Sequence, residues 1–256
     1  MFRVSRKGKC RCAPGWLQSS GSAVAESMQP AELEHSLVML RHCQKNIYCA
    51  SVPECCPVCG GNAVASQRLE DAPIRIPSPF INGHREKFCF LLKPTNGTFA
   101  SEYDGNSDLH VGISSSKGIV YSYNESGVHR EEQGWHQCVG VELLQPDMYG
   151  LISQWDKYLE DFSTTEAWLP QRYEESHHNC YTYALAFVNC MLAMQGTRQQ
   201  LSKEEFTKQF VLPRTRQASK YITLYRAIVK NHFYIIDSPG AKKLNSLTQE
   251  ANALLQ

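Results

Sequence analysis

An α+β fold is predicted for this 256-residue chain, on three observations. β-leaning segments fill the first part of the chain, and helical periodicity takes over beyond residue 148. The stretch from Asn179 to Leu192 is apolar nearly all round, as a helix inside a core must be. Five of the 11 cysteines crowd into residues 43–59, the mark of a small metal-held appendage.

Residues 1–27 read as a disordered basic tail. Arg3, Arg6, Lys7, Lys9 and Arg11 all precede the first acid, Glu26. Gly8 and Pro14 interrupt the amphipathic helix that a mitochondrial presequence needs. No apolar stretch follows the basic residues, so no secretory signal is read, and reduced thiols are favoured over a disulfide framework.

Residues 28–62 form the predicted zinc-knuckle-like segment. Cys56-Pro57-Val58-Cys59, followed by Gly60 and Gly61, is a tight turn that aims two thiolates at one point. Cys43 is the natural third ligand. His42, Cys49 and Cys55 compete for the fourth place, and His42 is carried forward. Adjacent His42 and Cys43 need an irregular backbone to reach one ion.

From 62 to 86 the chain reads as a loop punctuated by Pro73, Pro77, Pro79 and Gly83. The main domain is placed at residues 86–237. Its strands are Phe88–Leu92, Leu109–Ser114, Ile119–Tyr123 and Gln137–Leu144. Met148, Ile152, Trp155, Leu159 and Phe162 then line one face of an amphipathic helix. The Cys180 helix follows. Ser202 to Glu205 is a capping box opening a helix that Pro213 ends. One more helix spans 218–230, Phe233–Ile236 is a last strand, and residues 238–256 read as a flexible tail.

Chemistry concentrates at Cys180. Asn179 is a good N-cap, which places the thiol on the first helical turn. There the partial positive charge favours a thiolate, and free N–H groups are available to an oxyanion. A nucleophilic thiol needs a base, and His110 is best placed. Strand alternation puts His110 with Gly112 and Ser114 on one face, Gly112 leaving room for a helix end or a substrate. A three-residue turn ending at a left-handed Gly118 brings Ser122 to the same face as the orienting group; other loop lengths bring Tyr121 and Tyr123.

Leu109-His110-Val111-Gly112-Ile113, the glycine turn, Ile119-Val120-Tyr121-Ser122 and the later His178-Asn179-Cys180-Tyr181-Thr182-Tyr183-Ala184 resemble the circularly permuted NlpC/P60 (papain-like) group. That group includes the lecithin–retinol acyltransferase-like and PPPDE peptidase-like proteins. The resemblance covers about residues 86–192. It implies a permuted papain-like antiparallel sheet packed on helices, with Cys180 as nucleophile and His110 as base. Ser122 or a tyrosine stands where lecithin–retinol acyltransferase-like members carry a second histidine. From Met28 onward, the knuckle, Trp155 to Phe162 and the His-His-Asn-Cys stretch resemble the makorin-2 opposite-strand family, which supplies no mechanism.

These readings predict a Cys/His thiol hydrolase or acyltransferase acting on an amide, isopeptide or acyl ester. The alternative is a catalytically inactive adaptor that binds proteins through its groove and knuckle. A structural zinc ion and a protein partner or substrate are expected. With a net charge of +1 and 42 % apolar residues, neither nucleic acid nor a membrane span is favoured. The cytoplasm is the expected location, with the nucleus open.

Overall fold

The computed structural model describes residues 36–61, 71–100, 103, 105, 107–143, 149–196 and 200–238. The predicted tails, 1–27 and beyond 238, lie outside them. The described chain is α+β, with two antiparallel sheets and a small set of helices. It divides into two units. One holds Ser36–Pro77 and the chain from Leu224 onward; the other holds Ser78–Thr223.

The first unit is a four-stranded sheet in the order β3-β1-β2-β9. β1 (Leu37–His42) and β2 (Lys45–Cys49) form a hairpin, β3 is Ile74–Ile76 and β9 is Phe233–Asp237. The strand predicted at Phe233 thus joins the knuckle's own sheet. Its residue Ile235 stands opposite Ile47. Leu40, Ile47, Cys49 and Cys56 form a compact buried cluster, with Val38 and Ile235 packed against it. A cysteine-rich loop therefore lies on a true, if small, hydrophobic core.

The second unit is a five-stranded sheet in the order β7-β6-β5-β4-β8. Its strands are β4 (Cys89–Pro94), β5 (Leu109–Ser114), β6 (Val120–Asn124), β7 (Gly127–Glu131) and β8 (Val139–Glu142). Ser115 N–H donates to Ile119 O at 2.8 Å, which closes a three-residue loop ending at Gly118, φ +79°. A Cβ on Gly118 would stand 2.1 Å from His84 O, so only glycine fits the turn. β7 was not foreseen; it returns from Asn124 through a two-residue turn to Gly127.

The two faces of this sheet differ. Phe90, Ile113, Tyr121 and Tyr123 face the helices, as their ring contacts and hydrogen bonds with helical residues show. Leu91, Gly112 and Val120 face Trp135, which is fully buried. α1 (Tyr149–Ile152) and α2 (Trp155–Ser163) divide the single helix expected there. Trp155 Nε1 donates to Ser114 O, and Asp156 accepts from the Ser116 N–H and hydroxyl, pinning α2 to the β5–β6 turn. α3 (Cys180–Met194) buries Tyr183, Ala184, Phe187, Val188 and Met191. Complete burial of a side chain the size of Phe187 stabilises by about 2 kcal/mol.

Pro213 does not end a helix. α4 (Lys203–Phe206) passes through a π-helical turn, Thr207–Val211, into α5 (Leu212–Asn231). The wider turn just before Pro213 absorbs the missing N–H and the ring's demand for space. The capping box at Ser202 and Glu205 forms as read.

Candidate functional site

Two clusters of reactive side chains stand out, one in each unit. In the first, single ligand atoms of His42, Cys43, Cys56 and Cys59 all lie within 4.8 Å of one another. His42 Nδ1 is 2.9 Å from Cys43 Sγ and 3.8 Å from Cys59 Sγ. Cys43 and Gln44 make this possible. Both have positive φ, 56° and 59°, and form a two-residue type I′ turn between His42 and Lys45. The turn folds Cys43 back beside its own neighbour's ring, which is the irregular backbone the sequence called for.

Backbone geometry completes the cradle. Cys56 N–H donates to Gly61 O at 2.7 Å and Gly60 N–H to Cys56 O at 2.8 Å. Val58 N–H points at Cys56 Sγ and Gly61 N–H at Cys59 Sγ, each at 3.4 Å. The Gly61 amide is the first cause that lowers the Cys59 thiol below its ordinary range. Desolvation and the neighbouring Cys59 and Cys56 push Cys43 up to about 12. His42 is buried, and its Nε2 meets no hydrogen-bond partner among the described residues. Cys49 and Cys55, the rival fourth ligands, lie outside the cluster. Cys49 is buried with its thiol on Val38 O. Cys55 is disulfide-bonded, while the other described cysteines are free. The four clustered residues can hold a metal ion.

The second cluster is a cleft of about 410 Å³ lined by Cys180, Asn179, His110, Lys93, Glu131 and Tyr173, with Asp108, Leu109, Asn124 and Glu125 at the ends of β5 and β6. Asn179 caps α3 as read, its Oδ1 accepting from the N–H groups of Tyr181 (3.0 Å) and Thr182 (3.2 Å). The cap uses two donors that the sequence reading left free for an oxyanion. Nδ2 of Asn179 donates to Glu175 O. Cys180 is 9 % exposed. Burial raises its thiol above the ordinary range, opposed by the N–H groups of Val111, Tyr181 and Cys180 itself.

His110 lines the same cleft. The His110 ring lies against Trp135, with centroids 5.8 Å apart. No hydrogen bond joins the thiol and the imidazole. The face shared by His110, Gly112 and Ser114 is thus as read, but the space beside Gly112 holds Trp135 in place of a helix end. A Cβ there would come within 2.9 Å of the indole. Burial, then Lys93, lowers the His110 ring below its ordinary value, with Glu131 acting in the opposite direction.

A model of the family described as DUF4796 C-terminal matches residues 73–228, and one described as DUF4796 N-terminal matches residues 35–62. The chain belongs to the DUF4796 family. The human MKRN2 opposite strand protein is 58 % identical over 212 residues, which cover 83 % of this chain and 94 % of that protein. No solved structure matches. The described helices of this DUF4796 chain include none long and apolar enough to cross a membrane.

Sequence reasoning missed Glu131 in the cleft wall and Trp135 against the His110 ring. Ser122 sits on the face of His110, opposite Gly112, but its hydroxyl donates to Glu131 Oε2 at 2.8 Å and not to the ring. Trp135 Nε1 donates to the same oxygen, also at 2.8 Å. Glu131 belongs to the unforeseen strand β7, so only the pairing of β7 with β6 reveals it. The turn residues Asn124-Glu125-Ser126-Gly127, directly after a strand, are the signal that could have found it.

Proposed function

We propose that this chain is a zinc-stabilised protein-binding module on a permuted papain-like frame, with a thiol that is silent at rest. The observation that carries this reading is that no hydrogen bond joins Cys180 to His110, although both line one cleft. Burial raises the thiol above its ordinary range, and the imidazole rests on Trp135. A base that does not reach the thiol cannot take its proton. The papain-like frame itself is supported by the order of a histidine strand before a cysteine-capped core helix, and by helices gathered on one face of an antiparallel sheet. Three thiols and one imidazole are the donor set of a structural zinc centre. Cys43, Cys56, Cys59 and His42 would hold the ion, which would bind the β1–β2 turn to the knuckle loop.

A thiol hydrolase or acyltransferase is the second reading, favoured by the single cleft that both Cys180 and His110 line. It requires the His110 ring to come within hydrogen-bond reach of the Cys180 thiol. Iodoacetamide labelling at neutral pH, read residue by residue by mass spectrometry, separates the two. The binding module predicts slow labelling of Cys180 that His110→Ala leaves unchanged. Fast, selective labelling of Cys180 that His110→Ala abolishes would establish the hydrolase instead.

A further inference from the structure

Strand β9 is the edge of the first unit's sheet, paired on one side only, with β2. Ser238 N–H donates to Gln44 O, which sets the phase of the ladder. Hydrogen-bonded pairs alternate along an antiparallel ladder, so Tyr234 and Ile236 bond to β2, while the N–H and C=O groups of Phe233 and Ile235 point outward. No backbone group among the described residues pairs with them. The side chains do nothing to blunt this edge. Phe233, Tyr234 and Ile236 are 37 %, 42 % and 38 % exposed. By contrast, edge strand β7 presents His129, Arg130 and Glu131, and edge strand β3 is three residues long.

A cavity of about 630 Å³ opens at the start of β9, walled by Phe233 and His232 together with Cys49, Pro53, Cys56 and Pro57. Phe233 and Ile235 share the sheet face of Cys49 and Ile47. An added strand would place its same-face side chains beside Phe233, over this cavity. Unpaired backbone groups next to an apolar pocket form the arrangement by which sheets capture extended peptides: main-chain hydrogen bonds hold the segment and the pocket selects a side chain. A second copy of the chain fits poorly. Antiparallel self-pairing about Ile235 sets Asp237 of each copy against Phe233 of the other, a carboxylate at an apolar mouth.

We infer that the open edge of β9 is a docking site for an extended segment of a partner polypeptide, with a large apolar side chain of that segment seated in the cavity beside Phe233. This surface is separate from the Cys180 cleft and stands whether or not that cleft is catalytic.

A phage-displayed library of random nine-residue peptides, selected on the zinc-loaded full chain, tests it. Selected peptides should share one large apolar position, and their binding is read by fluorescence anisotropy. N-methylation of the backbone amides that meet the edge should weaken binding by about tenfold or more, and N-methylation of the alternate amides should not. Phe233→Ala should weaken it comparably with the circular dichroism spectrum unchanged. The N-methylated peptides give the answer even if that variant fails to fold. Selection of no peptide, or peptides indifferent to N-methylation, would overturn the inference. So would a dimer, seen by light scattering, whose formation occupies β9.

Discussion

Ser122 and Glu131 are joined by a 2.8 Å hydrogen bond across β6 and β7. Because Trp135 Nε1 donates to the same carboxylate oxygen, one acid on an edge strand fixes both the buried serine and the indole on which His110 rests.

Replacing that acid should be costly. Glu131→Ala leaves the Ser122 hydroxyl and the Trp135 N–H without an acceptor, for an expected loss of about 1–3 kcal/mol in urea unfolding. Glu131→Gln removes the charge that raises the His110 ring, so the midpoint of His110 in an NMR titration should fall further; Lys93→Met should move it up. The folded value of His110 lies below its unfolded value, so the unfolded chain binds the proton more readily. His110 therefore contributes a loss of stability that begins as pH falls through the ordinary histidine range and is complete below the folded value. A His110→Gln variant should lose less stability over that interval.

The metal cluster makes a spectroscopic prediction. Loading with cobalt should give the strong visible bands of a tetrahedral thiolate site, and Cys59→Ser should weaken them sharply. Holding Cys43 and Gln44 at positive φ costs about 1–2 kcal/mol per residue. A bound ion would offset this strain, so a chelator should lower the melting temperature of the metal-loaded parent chain. Cys43→Gly removes a ligand while relaxing the turn. Its melting temperature should be insensitive to chelator.

Cys180 should respond to pH as a buried thiol. With its value raised by burial, the thiolate is scarce at neutrality, and its alkylation rate should keep climbing beyond the pH at which a free cysteine levels off. A plateau near pH 7 would show instead that a base has taken the proton.

Two packing substitutions test the geometry of the cleft. Gly112→Ala drives a methyl group to within 2.6 Å of Val120 Cγ1 and 2.9 Å of Trp135; overpacking of this kind costs about 1–3 kcal/mol. Asn179→Ala removes the cap of α3 and should cost about 1 kcal/mol. Thermal unfolding of each variant checks both.

What the sequence disclosed follows from range. The cap at Asn179, the alternation of His110 with Gly112, the left-handed Gly118 and the turn at Cys56–Cys59 are local, each written in a few consecutive residues. Other features depend on partners far along the chain. The hairpin of β1 and β2 was hidden because its turn is Cys43-Gln44, not the Asn-Gly that announces a type I′ turn. Here the ligand geometry accompanies the positive φ that sequence preference would discourage. Pro213 misled because the π-helical turn that tolerates it has no distinct sequence pattern. The contact of His110 with Trp135 was invisible too. It turns on what covers that sheet face, and alternation alone says only that the two faces differ.

The pairing of β2 with β9 has a consequence for biosynthesis. The Lys45–Asp237 ion pair closes a span of 192 residues. At ribosomal speeds of about 5–20 residues per second, the hairpin waits roughly 10–40 s before its neighbouring strand has been made. During that wait the nascent hairpin exposes the very edge that β9 later covers. Early capture of the ion would keep a half-built sheet from pairing with other chains on the same polysome.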